Sequence, residues 1–266
     1  IMFDKSGSMA GPLWSKSTAA LQSFFIDPTS AGLRVALRFF PDDGCDTSCK
    51  NAQACATPKV AAAELTALSA PTDVQEQKLL DAFVDAVPMG GTPMSLALEG
   101  ALIWARDVRQ KAPDEKAVIV FVTDGEPTDC NKDPGYLYGI ASKAFNDDGI
   151  VTFAVGLEGA KTEVVNGIAH AGGSEKGIFI GAANADKELL TALNGIRDSQ
   201  VACEFKMPKA NGQQVDATKV NVIYTMGGTT EQIPIGQVSG LDKCTPKAAW
   251  YYDDATNPTK IILCPT

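Results

Sequence analysis

From its first residues to about residue 200, the chain alternates strand patterns with helix patterns, and no other feature limits its fold as tightly. Residues 33–40 (Leu-Arg-Val-Ala-Leu-Arg-Phe-Phe), 150–156 (Ile-Val-Thr-Phe-Ala-Val-Gly) and 177–181 read as strands, and 116–123 as the most apolar one. Apolar residues recur at helical spacing across 12–26, 73–86, 94–111, 136–148, 161–171 and 186–199. In the last of these Leu189, Leu190, Leu193 and Ile196 form a stripe suited to core packing. The alternation predicts an α/β fold: a doubly wound, mostly parallel sheet with helices on both faces. Ile1-Met2-Phe3 is apolar but too short for a central strand by itself, because buried strands usually run ~5–6 residues. The expectation is that the rest of that strand, with an export signal or lipid anchor, lies upstream of residue 1.

After residue 200 the pattern changes. Short alternating segments at 203–208, 219–224, 233–235, 249–252 and 260–264 are separated by Gly, Asn, Asp and Pro turns. The chain therefore divides into an α/β domain, 1–200, and a β-rich module, 201–266. A module that small rarely holds a sufficient core alone, which gives a reason for its three cysteines.

Charge excludes two classes of partner. The formal net charge is −9 and no Lys/Arg cluster forms a basic stripe, which argues against nucleic acid and against a membrane-surface patch. No apolar stretch reaches the ~20 residues of a membrane span.

The chain has seven cysteines: Cys45, Cys49, Cys55, Cys130, Cys203, Cys244 and Cys264. With no C-x-x-C pair and a single histidine, structural zinc is a poor reading, and disulfides in an oxidising compartment are the better one. No N-x-[ST] sequon is present, so the expected location is extracytoplasmic, in a secreted, periplasmic or outer-surface protein of a bacterium. The loops after strands 33–40 and 116–124 leave the sheet at the same carboxyl edge, so Cys45, Cys49, Cys55 and Cys130 share a face with three possible pairings. The expected pairing is Cys49 with Cys130 and Cys45 with Cys55. The first bond would close a loop of roughly 80 residues and stabilise by ~4 kcal/mol in the chain-entropy model. Cys203, Cys244 and Cys264 would leave one cysteine unpaired or bonded beyond residue 266.

Three short motifs carry the chemistry. Asp4-Lys5-Ser6-Gly7-Ser8 follows the apolar stub, Gly90-Gly91-Thr92-Pro93 forms a glycine-rich turn, and the 118–123 run ends on Thr123-Asp124-Gly125. Asp4 and Asp124 sit at strand C-termini, the edge where open α/β sheets bind ligands. Pro93 can open a helix directly behind Thr92. Two carboxylates and three hydroxyls make an all-oxygen donor set suited to a hard cation such as Mg²⁺.

In these residues the chain resembles the von Willebrand factor type A family and its metal-ion-dependent adhesion site. The resemblance covers residues 1 to about 200 and matches all five motif positions. It implies that Ser6, Ser8 and Thr92 contact Mg²⁺, or Mn²⁺ or Ca²⁺ in its place, through their hydroxyls. Asp4 and Asp124 would coordinate directly or through water. Two formal negative charges leave the ion electrophilic, ready for an Asp or Glu carboxylate of a protein partner. The implied function is metal-dependent protein binding or adhesion, without enzymatic activity. The β module resembles, more loosely, the cysteine-rich β pattern behind this domain in some bacterial envelope proteins.

Plainer readings stand beside these. D-x-S-x-S also opens ordinary capped helices, and G-G-T-P and T-D-G are common turns. Asp42, Asp43 and Asp46 read as a solvated acidic loop, Glu126, Asp129 and Asp133 as solvent-facing charges, and His170 as a surface histidine. A phosphatase-like hydrolase built on D-x-D would need a general acid where Ser6 stands, and no G-x-S-x-G elbow is present. The remaining alternative is a structural envelope component with a merely stabilising metal site.

Overall fold

Val118–Thr123 (β4) is buried along nearly its whole length, as a strand covered on both faces must be. It pairs in parallel with Met2–Asp4 (β1) and with Val151–Gly156 (β5). Beyond β1 lies the parallel strand Arg34–Phe40 (β2), followed by the antiparallel edge strand Val60–Glu64 (β3), and beyond β5 lies the short parallel strand Ile178–Phe179 (β6). The order is β3-β2-β1-β4-β5-β6. The computed structural model describes residues 1–113, 115–200, 204–207, 209–210, 213–214, 216–225, 231–245 and 248–264. They form two compact units, Ile1–Arg197 and Asp198–Thr266.

Alternation along the strands sends side chains to two separate cores. Phe3, Val35, Leu37, Phe39, Val120 and Val122 face one core, closed by helices Pro12–Ile26 (α1), Val74–Asp81 (α3) and Ala185–Ser199 (α7). Met2, Phe40, Ile119 and Phe121 face the other. That side is closed by Ala52–Cys55 (α2), Met94–Lys111 (α4), Pro134–Asp148 (α5) and Thr162–Ala171 (α6). Each fully buried Leu or Phe here stabilises by about 1.5–3 kcal/mol. The contact between α2 and α4 is close: a Cβ on Gly100 would lie 2.2 Å from Cβ of Cys55.

Local signals set the helix ends. Pro12 and Pro134 occupy first-turn positions, Asp73 accepts from the amides of Gln75 and Glu76, and Asp133 accepts from that of Gly135. Gly149 closes α5 at φ 63°, in the left-handed region.

Several expectations shift. Met2–Asp4 takes a central place in the sheet, with Met2 beside Arg38 of β2 and Phe121 of β4 and Asp4 at the carboxyl edge. The helix expected over 73–86 stops at Asp81, and the strand expected at 177–181 is two residues long. The antiparallel β3 and the four-residue α2 were not expected from the sequence pattern.

In the second unit, Val222–Thr225 (β10), Gln232–Gln237 (β11), Ala249–Tyr252 (β12), Lys260–Leu263 (β13) and Glu204–Lys206 (β7) form a sheet in the order β10-β11-β12-β13-β7. Lys209–Ala210 (β8) and Gln213–Gln214 (β9) form a separate two-stranded ribbon. Trp250 is buried, donates its indole N–H to the Ile235 carbonyl at 2.9 Å and meets Tyr252 edge-on. Cys244 is bonded to Cys264. Cys203 lies outside the described residues. Among the described residues no helix is long and apolar enough to cross a membrane.

Candidate metal centre

The strand order reverses between β1 and β4, and the carboxyl ends of these two strands carry Asp4 and Asp124. This is the switch point at which open α/β sheets leave a crevice for ligands. Three loops meet there. The first, after β1, turns through a single 3-10 turn at Gly7–Met9. The second, Gly90 to Pro93, enters α4. The third follows β4 from Asp124 toward α5.

Backbone bonds stitch the loops together. Met89 N donates to Lys5 O at 2.9 Å and Gly7 N to Gly90 O at 2.9 Å. Thr92 N donates to Thr128 Oγ1 at 2.7 Å and to Asp129 Oδ2 at 3.0 Å, and Thr128 N returns a bond to Thr92 O at 3.3 Å. The two glycines before Thr92 have different reasons. Gly90 sits at φ 82°, where a side chain is strained. Gly91 lacks a Cβ because Oδ2 of Asp129 lies 1.8 Å from where one would be.

All five sequence-predicted oxygen donors converge. Ser6 Oγ and Ser8 Oγ are 3.0 Å apart, and Ser8 Oγ donates to Asp124 Oδ1 at 2.9 Å. Asp4 accepts from Ser6 N at 2.8 Å and, through its other oxygen, from Thr123 Oγ1 at 2.6 Å. Thr92 Oγ1 and Ser8 Oγ lie 3.6 and 4.0 Å from the place a Cβ on Gly125 would take, so both face that glycine. Asp4, Ser6, Thr92 and Asp124 are buried, while Ser8 is exposed at the mouth. An open cleft runs outward from Ser8, Thr92 and Asp124 past Glu126, Lys132 and Glu158.

The electrostatics are unbalanced. Burial pushes the Asp4 carboxyl up to about 6; its bonds from Ser6 and Thr123 oppose this, and the neighbouring Asp124 charge adds to it. Burial also raises Asp124, against the bond from Ser8. No Lys, Arg or His forms an ion pair with either acid among the described residues. Two adjacent buried carboxylates without a basic partner call for a proton or a cation. Among the described residues no group of three or more His, Cys, Asp and Glu could hold a metal, so an ion here would depend on the hydroxyls. The donor set fits a hard divalent ion, with oxygens only and one open side.

Of the nearby acids, Asp42 and Asp129 are less solvated than their sequence setting suggests, whereas Asp43, Glu126 and Asp133 are exposed as expected. Asp42 is tucked under the first loop, taking Lys5 Nζ at 2.6 Å with Arg38 Nη1 at 3.8 Å. Asp43 pairs with Lys59 and Glu126 with Lys161. Asp129 clamps Thr92, and Asp133 caps α5. His170 is exposed on α6. Sequence reasoning missed Thr123, Thr128 and the Lys5–Asp42 pair; the Gly-Gly step before Thr92 was the one available sign of a close neighbour.

Two disulfides frame the site. Cys45–Cys55 is buried beneath the loop after β2, and Cys49–Cys130 ties that loop to the third loop across 81 residues.

No description of a protein family matches the chain. The human collagen alpha-6(VI) chain is 32% identical over 117 residues, which is 44% of this chain and 4% of that one. A solved von Willebrand factor type A protein from Catenulispora acidiphila superposes with a TM-score of 0.50 at 16% identity, covering 72% of this chain and 40% of that one. Manganese-loaded TRAP protein from Plasmodium vivax gives 0.46 at 17% identity, over 71% of each chain. The chain thus spans under half the length of the first two. The Catenulispora likeness establishes the fold alone.

Proposed function

Given a chain with the von Willebrand factor type A fold, we propose that it is a protein-binding module whose contact with its partner runs through a divalent cation. The observation that carries this reading is the convergence of Asp4, Ser6, Ser8, Thr92 and Asp124 at the switch point, with buried acids that no basic side chain among the described residues neutralises. Asp4 and Asp124 would supply charge, and Ser6, Ser8 and Thr92 neutral oxygens. A divalent ion such as Mg²⁺ or Mn²⁺ held by these residues would supply an electrophilic centre for a carboxylate oxygen from outside. Hydroxyls in place of further carboxylates keep that centre positive enough to prefer an Asp or Glu side chain of a partner protein. The cleft beyond Ser8 gives such a side chain its approach.

Three disulfides support a setting outside the reducing cytosol, and a bacterial envelope or secreted protein is the source we favour. A hydrolase reading has less support: the imidazole that would activate Ser6 or Ser8 is missing from the site, and His170 lies on α6. Affinity capture from envelope extracts tests the proposal. Proteins retained in Mg²⁺, released by EDTA, and lost with Ser6→Ala/Ser8→Ala support it. A variant that retains the same proteins, with or without EDTA, refutes it.

A further inference from the structure

We propose that the Cys49–Cys130 disulfide is a thiol-sensitive latch on the candidate cation site, acting through Asp129 on Thr92. The inference rests on the functional reading above and adds a control to it. Its first basis is connectivity. Cys130 directly follows Asp129, and Asp129 Oδ2 accepts both the Thr92 amide at 3.0 Å and the Thr128 hydroxyl at 2.7 Å. A covalent tie to residue 49 therefore sits one residue from the carboxylate that sets the position of a candidate ligand. Asp129 is thus a positioning residue. The fit is tight on the other side too, since Gly91 has no room for a Cβ beside that carboxylate.

The second basis is unequal access. Cys45 and Cys55 are 0% and 1% exposed, whereas Cys49 is exposed and Cys130 half-buried. A reductant reaches one bond beside the site and not the other. The third is backbone conformation. Cys49 and Cys130 take φ of 58° and 63°, in the left-handed region that disfavours side chains, so both segments can relax once the bond is cut.

The chemistry is thiol–disulfide exchange with a dithiol reductant. One thiolate of the dithiol attacks Sγ of Cys49, and Sγ of Cys130 leaves as a thiolate and takes up a proton. The second thiolate of the dithiol then attacks its own mixed-disulfide sulfur and frees Cys49 as a thiol. Two electrons pass to the cysteine pair, and the dithiol departs as a disulfide. The third loop keeps the Thr128–Thr92 bonds, the Glu126–Lys161 pair, the Asn131 amide on Ser95 Oγ at 3.1 Å and the Asp133 cap. The site should loosen rather than collapse. Losing such support around a ligand costs roughly tenfold or more in metal affinity.

The test uses the whole chain. Native protein is exposed to graded dithiothreitol, capped with iodoacetamide, desalted and divided between peptide mapping and calorimetric titration with Mn²⁺. We expect Cys49 and Cys130 to be labelled before Cys45 and Cys55, with Mn²⁺ affinity falling about tenfold in step. Uncapped protein should recover its affinity on reoxidation. Cys244→Ser/Cys264→Ser should keep this sensitivity. Asp129→Ala should bind Mn²⁺ weakly from the outset and lose nothing more on reduction, whereas a role confined to stability would leave the two effects additive. Labelling of Cys49 and Cys130 with unchanged affinity overturns the latch alone, as does a bond that resists reduction until the protein unfolds. Oxidised protein that binds no Mn²⁺ overturns the functional reading and the latch with it.

Discussion

Replacing Asp4 by Asn should stabilise the cation-free protein at neutral pH and destroy its response to cation. Burial holds the Asp4 carboxyl at about 6, against an ordinary value of 3.8. A raised carboxyl favours the folded state fully below its unfolded value, and that contribution disappears as pH rises through about 6. At pH 7.5 the ionised group then costs the folded chain about 3 kcal/mol relative to low pH. Asn removes the charge and keeps the shape. One amide oxygen still accepts from Ser6 N, and the amide nitrogen can donate to Thr123 Oγ1 in place of the bond that Asp4 received. Allowing for an imperfect exchange, the net gain is about 2 kcal/mol, or roughly 4–8 °C in Tm for a domain of this size. Differential scanning calorimetry in EDTA between pH 4 and 8 checks it. Wild type should lose stability across this range, through about pH 6, and Asp4→Asn should be flatter. With saturating Mg²⁺ at pH 7.5 the order should invert, since only wild type keeps the carboxylate. A variant less stable than wild type in EDTA at pH 7.5, or with a parallel pH profile, would refute the reasoning.

Gly91→Ala should weaken Mn²⁺ binding by about tenfold or more in a calorimetric titration, because its Cβ would displace the Asp129 carboxylate that holds Thr92. Gly100→Ala should cost about 1–3 kcal/mol or more in urea denaturation, since its Cβ would meet Cys55 at 2.2 Å and Ala56 N at 2.8 Å. Lys5→Met should cost about 1–3 kcal/mol by the same assay, less than a fully orphaned buried acid because Arg38 still faces Asp42. Asp42→Asn should then recover part of that loss when added to Lys5→Met.

The parallel core of the fold could be read from sequence where residue type and period agreed. Residues 33–40, 116–123 and 150–156 are all strands of one sheet, since runs of Val, Ile and Phe bounded by turns suit buried parallel strands. Strand β3 was hidden because Val-Ala-Ala-Ala-Glu offers a single β-branched residue and no alternation; its place comes from pairing with β2 across a bulge. Helix α2 has one turn and lies in a loop shaped by the Cys45–Cys55 bond, too short for periodicity to register. At the site, the oxygen donors were visible because each motif is local. Asp42 and Asp129 were not, because their partners Lys5 and Thr92 are each 37 residues away and an isolated acid in a loop looks solvated.

The claim at the centre of this account is that Asp4, Ser6, Ser8, Thr92 and Asp124 hold one divalent cation. Anomalous diffraction from crystals grown in millimolar Mn²⁺ tests it most directly. The account predicts one strong anomalous peak within about 2.0–2.5 Å of Ser6 Oγ and Ser8 Oγ, close to Thr92 and between the two aspartates. A map with no peak there, or with its main peak on other acids while Asp4 and Asp124 stay bonded to their present partners, would contradict it.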